Sequence, residues 1–341
     1  MPPHTYVHDV RNPVDALGLY VYDAFGNLEP LYRDPAISCQ YPMPVRPRPA
    51  PAALAPRVAA GRDGEAGEGR FLLQNVYDGL AGVARGEVKR LRIVAVPAKV
   101  QPQMNQPVLG VTREDPGKCV LGTVPVEEDG SAYFRVPAGV SVFFQALDEG
   151  GRAVQTMRTI TYVQPGQTLG CIGCHEPRDA APAVAPILAQ RRPASRLRPG
   201  PEGSWPLRFD RLVQPVLDAH CVRCHCPDGK KEAVACLDLT PGKAYPSLVG
   251  YGGKVGLAKH VESRWRDGRS VAGACVARES RILAMLTGEK GHHDVHLGPE
   301  DLDRLITWMD TYAQLRGSFS DEQERRLLAL REAWADLLEA P

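Results

Sequence analysis

Two short stretches of this chain carry residue types at a spacing that can do chemistry: Cys171-Ile172-Gly173-Cys174-His175 and Cys221-Val222-Arg223-Cys224-His225. Two thiols separated by two residues can form thioethers with both vinyl groups of a haem, and a histidine directly after the second can then ligate the iron. Two copies in one chain exceed what composition produces by chance. Both are therefore read as haem c sites, with Cys171, Cys174, Cys221 and Cys224 as attachment residues and His175 and His225 as iron ligands. Two rival chemistries use the same residues. A four-thiolate zinc site would join the two pairs, but zinc ribbons separate their pairs by about fifteen to twenty residues and leave both histidines unexplained. A thioredoxin-like dithiol would need a βαβ setting, which neither flank shows.

A haem iron bound by one histidine has a sixth position, and what fills it separates an electron carrier from a catalyst. For the second motif the candidate donors are His292, His293 and His296 in "GHHDVHLGPEDL", just ahead of a helix that could pack on a porphyrin. His220 lies too close to its own attachment loop, and His260 reads as a structural histidine. For the first motif Met104, Met157, His4 and His8 are donors by type, and nothing in their spacing selects one. The chain has nine cysteines; Cys39, Cys119, Cys226, Cys236 and Cys275 are scattered and read as small buried hydrophobes.

The elements that must position these motifs follow from periodicity and turn signals. The fold class is mixed α and β: a β-sandwich-like module followed by an α-helical, cytochrome c-like dihaem region. "LGLYVY" and "LEPLYRD" flank a Gly-Asn turn and read as a hairpin within residues 1–41. Residues 42–69 are rich in Pro and Gly and read as a linker. Across 70–165, "VKRLRIVAV", "KCVLGTVPV", "SAYFRVPAG", "VSVFFQALD" and "AVQTMRTITYV" alternate with turns, as sandwich strands do, while "PAKVQPQMNQPVLG" reads as a loop. The first motif occupies 166–180, and residues 181–206 form a Pro- and Arg-rich surface connector. Helical spacing dominates 207–318: Phe209, Leu212, Val213, Val216 and Leu217 share a face, kinked where Pro215 cannot donate to the carbonyl of Arg211, and Leu302, Leu305, Ile306 and Met309 share another, opened by Pro299. In 319–341 a last helix starts at a capping box of Ser320 and Gln323 and runs to Leu338.

Composition narrows the partners. Forty-one basic residues against forty acidic ones give a net charge of +1, which supplies no argument for nucleic acid. No apolar run is long enough for a transmembrane segment, and the first thirty residues lack a signal peptide. Covalent haem is attached outside the cytoplasm, so the motifs predict a periplasmic or other extracytoplasmic location, with an upstream region missing or the start wrongly assigned.

"FGNLEPLYRDPAISC", "QPGQTLGCIGCHEPR", "FDRLVQPVLDAHCVRCH" and "GHHDVHLGPEDLDRLITWMD" together resemble the C-terminal part of the hydrazine synthase alpha subunit and its relatives, over nearly the whole chain. The resemblance implies two c-type haems beside a β-rich region, and a hairpin that ends a β-propeller. It implies His292 as the distal ligand of the second haem. In the synthase a tyrosine four residues beyond the first CxxCH histidine takes the iron; here that position is Asp179, which implies ordinary ligation by His175. The expected function is a dihaem electron-transfer module working with a redox partner protein or a small-molecule electron donor or acceptor. The alternatives are a haem oxidoreductase acting on a small nitrogen compound or oxidant at the first haem, and a zinc-stabilised structural protein.

Overall fold

In the first unit, Met1–Ala55, β1 (Leu19–Tyr22) pairs antiparallel with β2 (Leu28–Tyr32). The turn closes because Oδ1 of Asp23 accepts the backbone N–H groups of Phe25 and Asn27, at 2.8 and 2.9 Å, and Gly26 takes a left-handed φ of 90°. The computed structural model of the chain describes residues 15–50, 52, 67–99, 106–175, 186–228, 237–289 and 291–339.

The second unit, Pro56–Pro341, contains two sheets followed by helices. One sheet has the order β6-β3-β9 and the other β5-β4-β7-β8, from strands β3 (Glu68–Leu73), β4 (Arg90–Ala95), β5 (Cys119–Pro125), β6 (Ala132–Pro137), β7 (Val142–Leu147), β8 (Ala153–Thr156) and β9 (Thr168–Cys171). Phe71, Phe134, Leu91, Leu121 and Val154 from both sheets share one buried core. Phe144 of the second sheet meets Phe71 and Phe134 of the first edge-on, at 5.1 and 5.6 Å, so the sheets face each other.

The second sheet is covered on its other side as well. Val94, Val120 and Phe143 join a separate core with Leu212, Val213, Leu305 and Trp308 from the helices. That double burial explains why every residue of β4 after Arg90 is buried, Arg92 included at only 1% exposed. The helices are α1 (Phe209–Leu212), α2 (Gln214–His220), α3 (Ala244–Gly250), α4 (Leu257–Arg266), α5 (Arg281–Thr287), α6 (Pro299–Asp310) and α7 (Asp321–Ala333). The kink expected at Pro215 is a break between α1 and α2, and Nη1 of Arg304 on α6 donates to the carbonyl of Arg211 that proline leaves unpaired, at 3.1 Å.

Several local expectations change. The stretch 42–69 ends in the first two residues of β3, because Glu68 and Gly69 pair with Pro137 and Val136 of β6. The segment expected as a surface connector carries Leu197 and Trp205 into the core, bridged to β5 through Thr123 and Arg198 and to β6 through Phe134 and Ser195. The last helix stops at Ala333 and a 3₁₀ turn over Ala335–Leu337 follows. Its capping box is shifted: Oγ of Ser320 accepts from Gln323 N as expected, but Oε1 of Gln323 accepts from Phe319 N. Among the described residues, no helix is long and apolar enough to cross a membrane.

Candidate functional site

The first CxxCH motif begins on a strand. Cys171 ends β9, which runs parallel to β3 with Cys171 opposite Leu73. The loop after β3 grips the rest: the N–H groups of Gln74 and Asn75 donate to the carbonyls of Cys171 and Ile172, and the N–H groups of Cys174 and His175 both donate to the carbonyl of Asp78. Two glycines make this approach possible. A Cβ on Gly79, which has a left-handed φ of 81°, would strike the backbone of His175, and a Cβ on Gly173 would strike Asp78.

Cys171, Cys174 and His175 line a cavity of about 530 Å³ between the sheets, walled by Phe71, Phe134 and Phe144 and closed at another side by Arg158, Arg269 and Ser270. Its size is that of a ligand pocket, roughly 300–1,000 Å³, and its apolar walls with a cationic side suit a flat macrocycle bearing carboxylates. Gln155 of β8 is 5% exposed, its Nε2 lies 3.1 Å from Nε2 of His175, and its buried Oε1 has no hydrogen-bond partner. The Gln155 amide is thus within hydrogen-bond reach of His175 Nε2, the ring nitrogen a metal would take, with the direction set by the imidazole tautomer.

The second motif sits at a helix end. Cys221 caps α2, and the N–H groups of Cys224 and His225 fold back onto its carbonyl in a tight turn. Its counterpart is the loop before α6. His293 and Asp294 both adopt left-handed φ, 49° and 61°, and Val295 N donates to the His292 carbonyl, which makes a tight reversal of residues 292–295. The reversal sets the His292 ring nearly parallel to that of His225, at 20° and 6.0 Å between centres. An imidazole–metal–imidazole arrangement with bonds of about 2 Å puts ring centres about 6 Å apart.

Burial lowers the pKa of His225, partly offset by a backbone interaction with Leu237 and reinforced by His293; burial, then His293 and His225, lower that of His292. Nδ1 of His225 is buried and has no hydrogen bond of ordinary geometry. Burial disfavours the protonated form of both of these nearly parallel imidazoles, and a metal binds histidine in its unprotonated form. Of the other histidines in this loop, His293 packs edge-on against His292 at 4.6 Å and His296 lines a different cavity with Thr287 and Leu302. His220 is held by Asp301 at 2.9 Å, and His260 lies 3.3 Å from Glu279.

The space around His225 and His292 is walled by Leu217, Leu239, Leu248, Leu305 and Trp308. Leu217 and Leu305 of this wall lie on the helical faces expected from the sequence; sequence reading missed Leu239, Leu248 and Trp308, and missed Gln155 and Arg269 at the first site. Isolated Leu, Gln and Arg residues carry no spacing signal, and only folding brings them to the motifs.

The rival chemistries can be weighed from the same geometry. Cys171 and Cys174 line one cavity and Cys221 another, and among the described residues no three His, Cys, Asp or Glu side chains are grouped to hold a metal ion. Burial, then the neighbouring thiol, pushes the Cys174 thiol up to about 12 and that of Cys221 up to about 11, the opposite of the lowered pKa a reactive dithiol needs. Cys119 and Cys275 are buried as expected, while Cys39 and Cys226 are half-buried. Met157 borders the first cavity. Asp179, Cys236, Met104, His4 and His8 lie outside the described residues.

Together these features define a class: a mixed α and β protein with several sheets, whose two CxxCH motifs each border a cavity, one from a strand end and one from a helix end. Residues 86–176, from just before β4 to just past the first motif, match the profile of the hydrazine synthase alpha subunit middle domain, and the chain is related to that family. Among solved structures it is similar to Kuenenia stuttgartiensis hydrazine synthase, at 18% identity and a TM-score of 0.52, over 75% of this chain and 44% of that one. The chain thus spans less than half of that relative, and the likeness is one of fold. No curated protein matches.

Proposed function

We propose that the chain is a dihaem c-type electron-transfer module of an extracytoplasmic redox protein, its helical part cytochrome c-like and its N-terminal hairpin the end of a propeller. Cys171 and Cys174 would hold one haem, with His175 on its iron; Cys221 and Cys224 would hold the other, with His225 and His292 on either side. The observation that carries this reading is the nearly parallel pair of imidazoles, His225 and His292, 6.0 Å apart at the second CxxCH. When bound, haem supplies a one-electron iron couple, and two imidazoles favour its use for transfer over ligand binding. The protein's own contribution is to fix both rings and keep water away with an apolar wall. Expression with a haem c maturation system, followed by pyridine haemochrome spectroscopy, tests it: two haems per chain are expected, and a chain without covalent haem refutes it.

A second reading, in which the first haem does redox chemistry on a small molecule, is favoured by one observation. Among the described residues, the first cavity holds no imidazole besides His175, and Gln155 presents a buried unpaired Oε1 there. A high-spin ferric signal that responds to cyanide at the first haem supports this reading. Two low-spin irons inert to cyanide exclude it.

A further inference from the structure

The apolar space around His225 and His292 has a free volume of only about 80 Å³. A ligand pocket of drug or cofactor size runs to roughly 300–1,000 Å³, so this space alone does not hold a porphyrin. Beside it lies a second chamber of about 600 Å³, and Tyr251, Ile282 and Met285 line both. The two differ in chemistry. The first is walled almost wholly by Leu, Ile, Met and Trp side chains. The second, between the loop after α3, helix α4 and the start of α5, is lined by four cations, Lys254, Lys259, Arg264 and Arg281, against one carboxylate, Glu279.

That surplus is only partly used. Lys259 pairs with Glu262 at 2.6 Å, and Arg264 with Asp267 at 3.3 Å and more distantly with Glu279. Among the described residues Lys254 and Arg281 form no ion pair, and Nε of Arg264 is buried without a hydrogen bond. An apolar slot that opens into a cationic chamber matches a molecule with a flat apolar body and carboxylates at one edge. A haem tethered by its vinyl edge is such a molecule, and charge-assisted pairs with carboxylates would satisfy the spare cations.

We propose that this chamber is the carboxylate-binding half of the second haem site, with Lys254 and Arg281 as its principal cations, an assignment that rests on the haem reading above. The same cations could serve a free anion, so the test separates the two sources. In the haem-loaded chain, haem-bearing peptides first establish whether Cys221 and Cys224 are occupied; an empty second site overturns the haem reading and this assignment with it.

With the site occupied, the Lys254→Gln/Arg281→Gln double variant is compared with wild type by potentiometric titration. Loss of two cations near the porphyrin edge disfavours the reduced state, so the midpoint of the second haem is expected to fall while that of the first stays put. Arg281→Lys should restore part of the shift, and inorganic phosphate should leave the wild-type spectrum and potential unchanged. A purely structural role for these cations would lower thermal stability without moving the potential. An unchanged second midpoint overturns the proposal, and so does saturable phosphate binding by the loaded wild type, which would assign the chamber to free anions.

Discussion

Asp310, the last residue of α6, offers the sharpest test of how the two halves of the second unit are joined. Its side chain is wholly buried; Oδ2 accepts from Ala153 N of β8 at 2.7 Å and Oδ1 from Ala277 N at 2.9 Å, and it lies 3.9 Å from Nη1 of Arg92. Arg92, equally buried, also donates to Oε1 of Gln145, the carbonyl of Gly151 and Oγ1 of Thr307. Asp310→Ala leaves two buried N–H groups without acceptors and a buried guanidinium without its buried counter-charge. Each orphaned donor costs about 1–3 kcal/mol and breaking a buried pair about 3–5 kcal/mol; the groups are coupled, so we expect a loss of about 4 kcal/mol in total. For a unit of this size that lowers the melting temperature by roughly 8 °C or more. Asp303, half-exposed and 3.9 Å from the same guanidinium, is the control: Asp303→Asn should cost about 0–1 kcal/mol.

The pH dependence carries a second signature of the same residue. Burial raises the Asp310 carboxyl to about 6 against an ordinary 3.8, although Arg92 and the two N–H groups pull it down. The folded state therefore holds this proton more tightly than the unfolded one. Its contribution to stability is fully present below about pH 4 and falls by about 3 kcal/mol as pH rises to about 6. In Asp310→Asn that component should disappear from the difference in stability between pH 4 and pH 7, read by urea unfolding. A melting point for Asp310→Ala within about 2 °C of wild type, roughly the shift that 1 kcal/mol produces, or an equal loss in Asp303→Asn, would refute this account of the join.

Three further outcomes follow from the sites. Gly79→Ala must force a left-handed backbone on a residue with a Cβ and push that Cβ into His175; a cost of about 1–2 kcal/mol from conformation alone, and a fall in haem at the first motif only, should show in thermal melts and haem-stained peptides. His292→Ala should convert the second haem from low-spin to high-spin by electron paramagnetic resonance, whereas His293→Ala and His296→Ala should not; an unchanged spectrum in His292→Ala would remove it as the distal ligand. Cys171→Ser/Cys174→Ser should lose about half of the pyridine haemochrome signal, with the remainder low-spin.

Much of the fold was legible because its causes are local. The five strand runs and the helix starting at Pro299 announce themselves by period, turns and caps, and Pro215 breaks its helix by removing one donor wherever it stands. β3 and β9 were not legible. β3 opens inside a Gly-rich stretch, and β9 is a four-residue strand that exists because β3 lies beside it. The buried Arg92 was equally invisible, since its partners Gln145 and Thr307 come from β7 and α6.

The candidate site divides in the same way. Sequence by itself supplied the expectation of haem attachment, because two thiols and an imidazole at fixed spacing lie along one short piece of chain. It offered three histidines for the opposite face and a family resemblance that favours His292. Only tertiary structure decided what surrounds the motifs: the reversal at His293 and Asp294 that turns His292 toward His225, the amide of Gln155 against His175, and the cationic chamber beside the second motif. Those arrangements depend on where separate elements cross, and a crossing is fixed by packed side chains far apart in sequence.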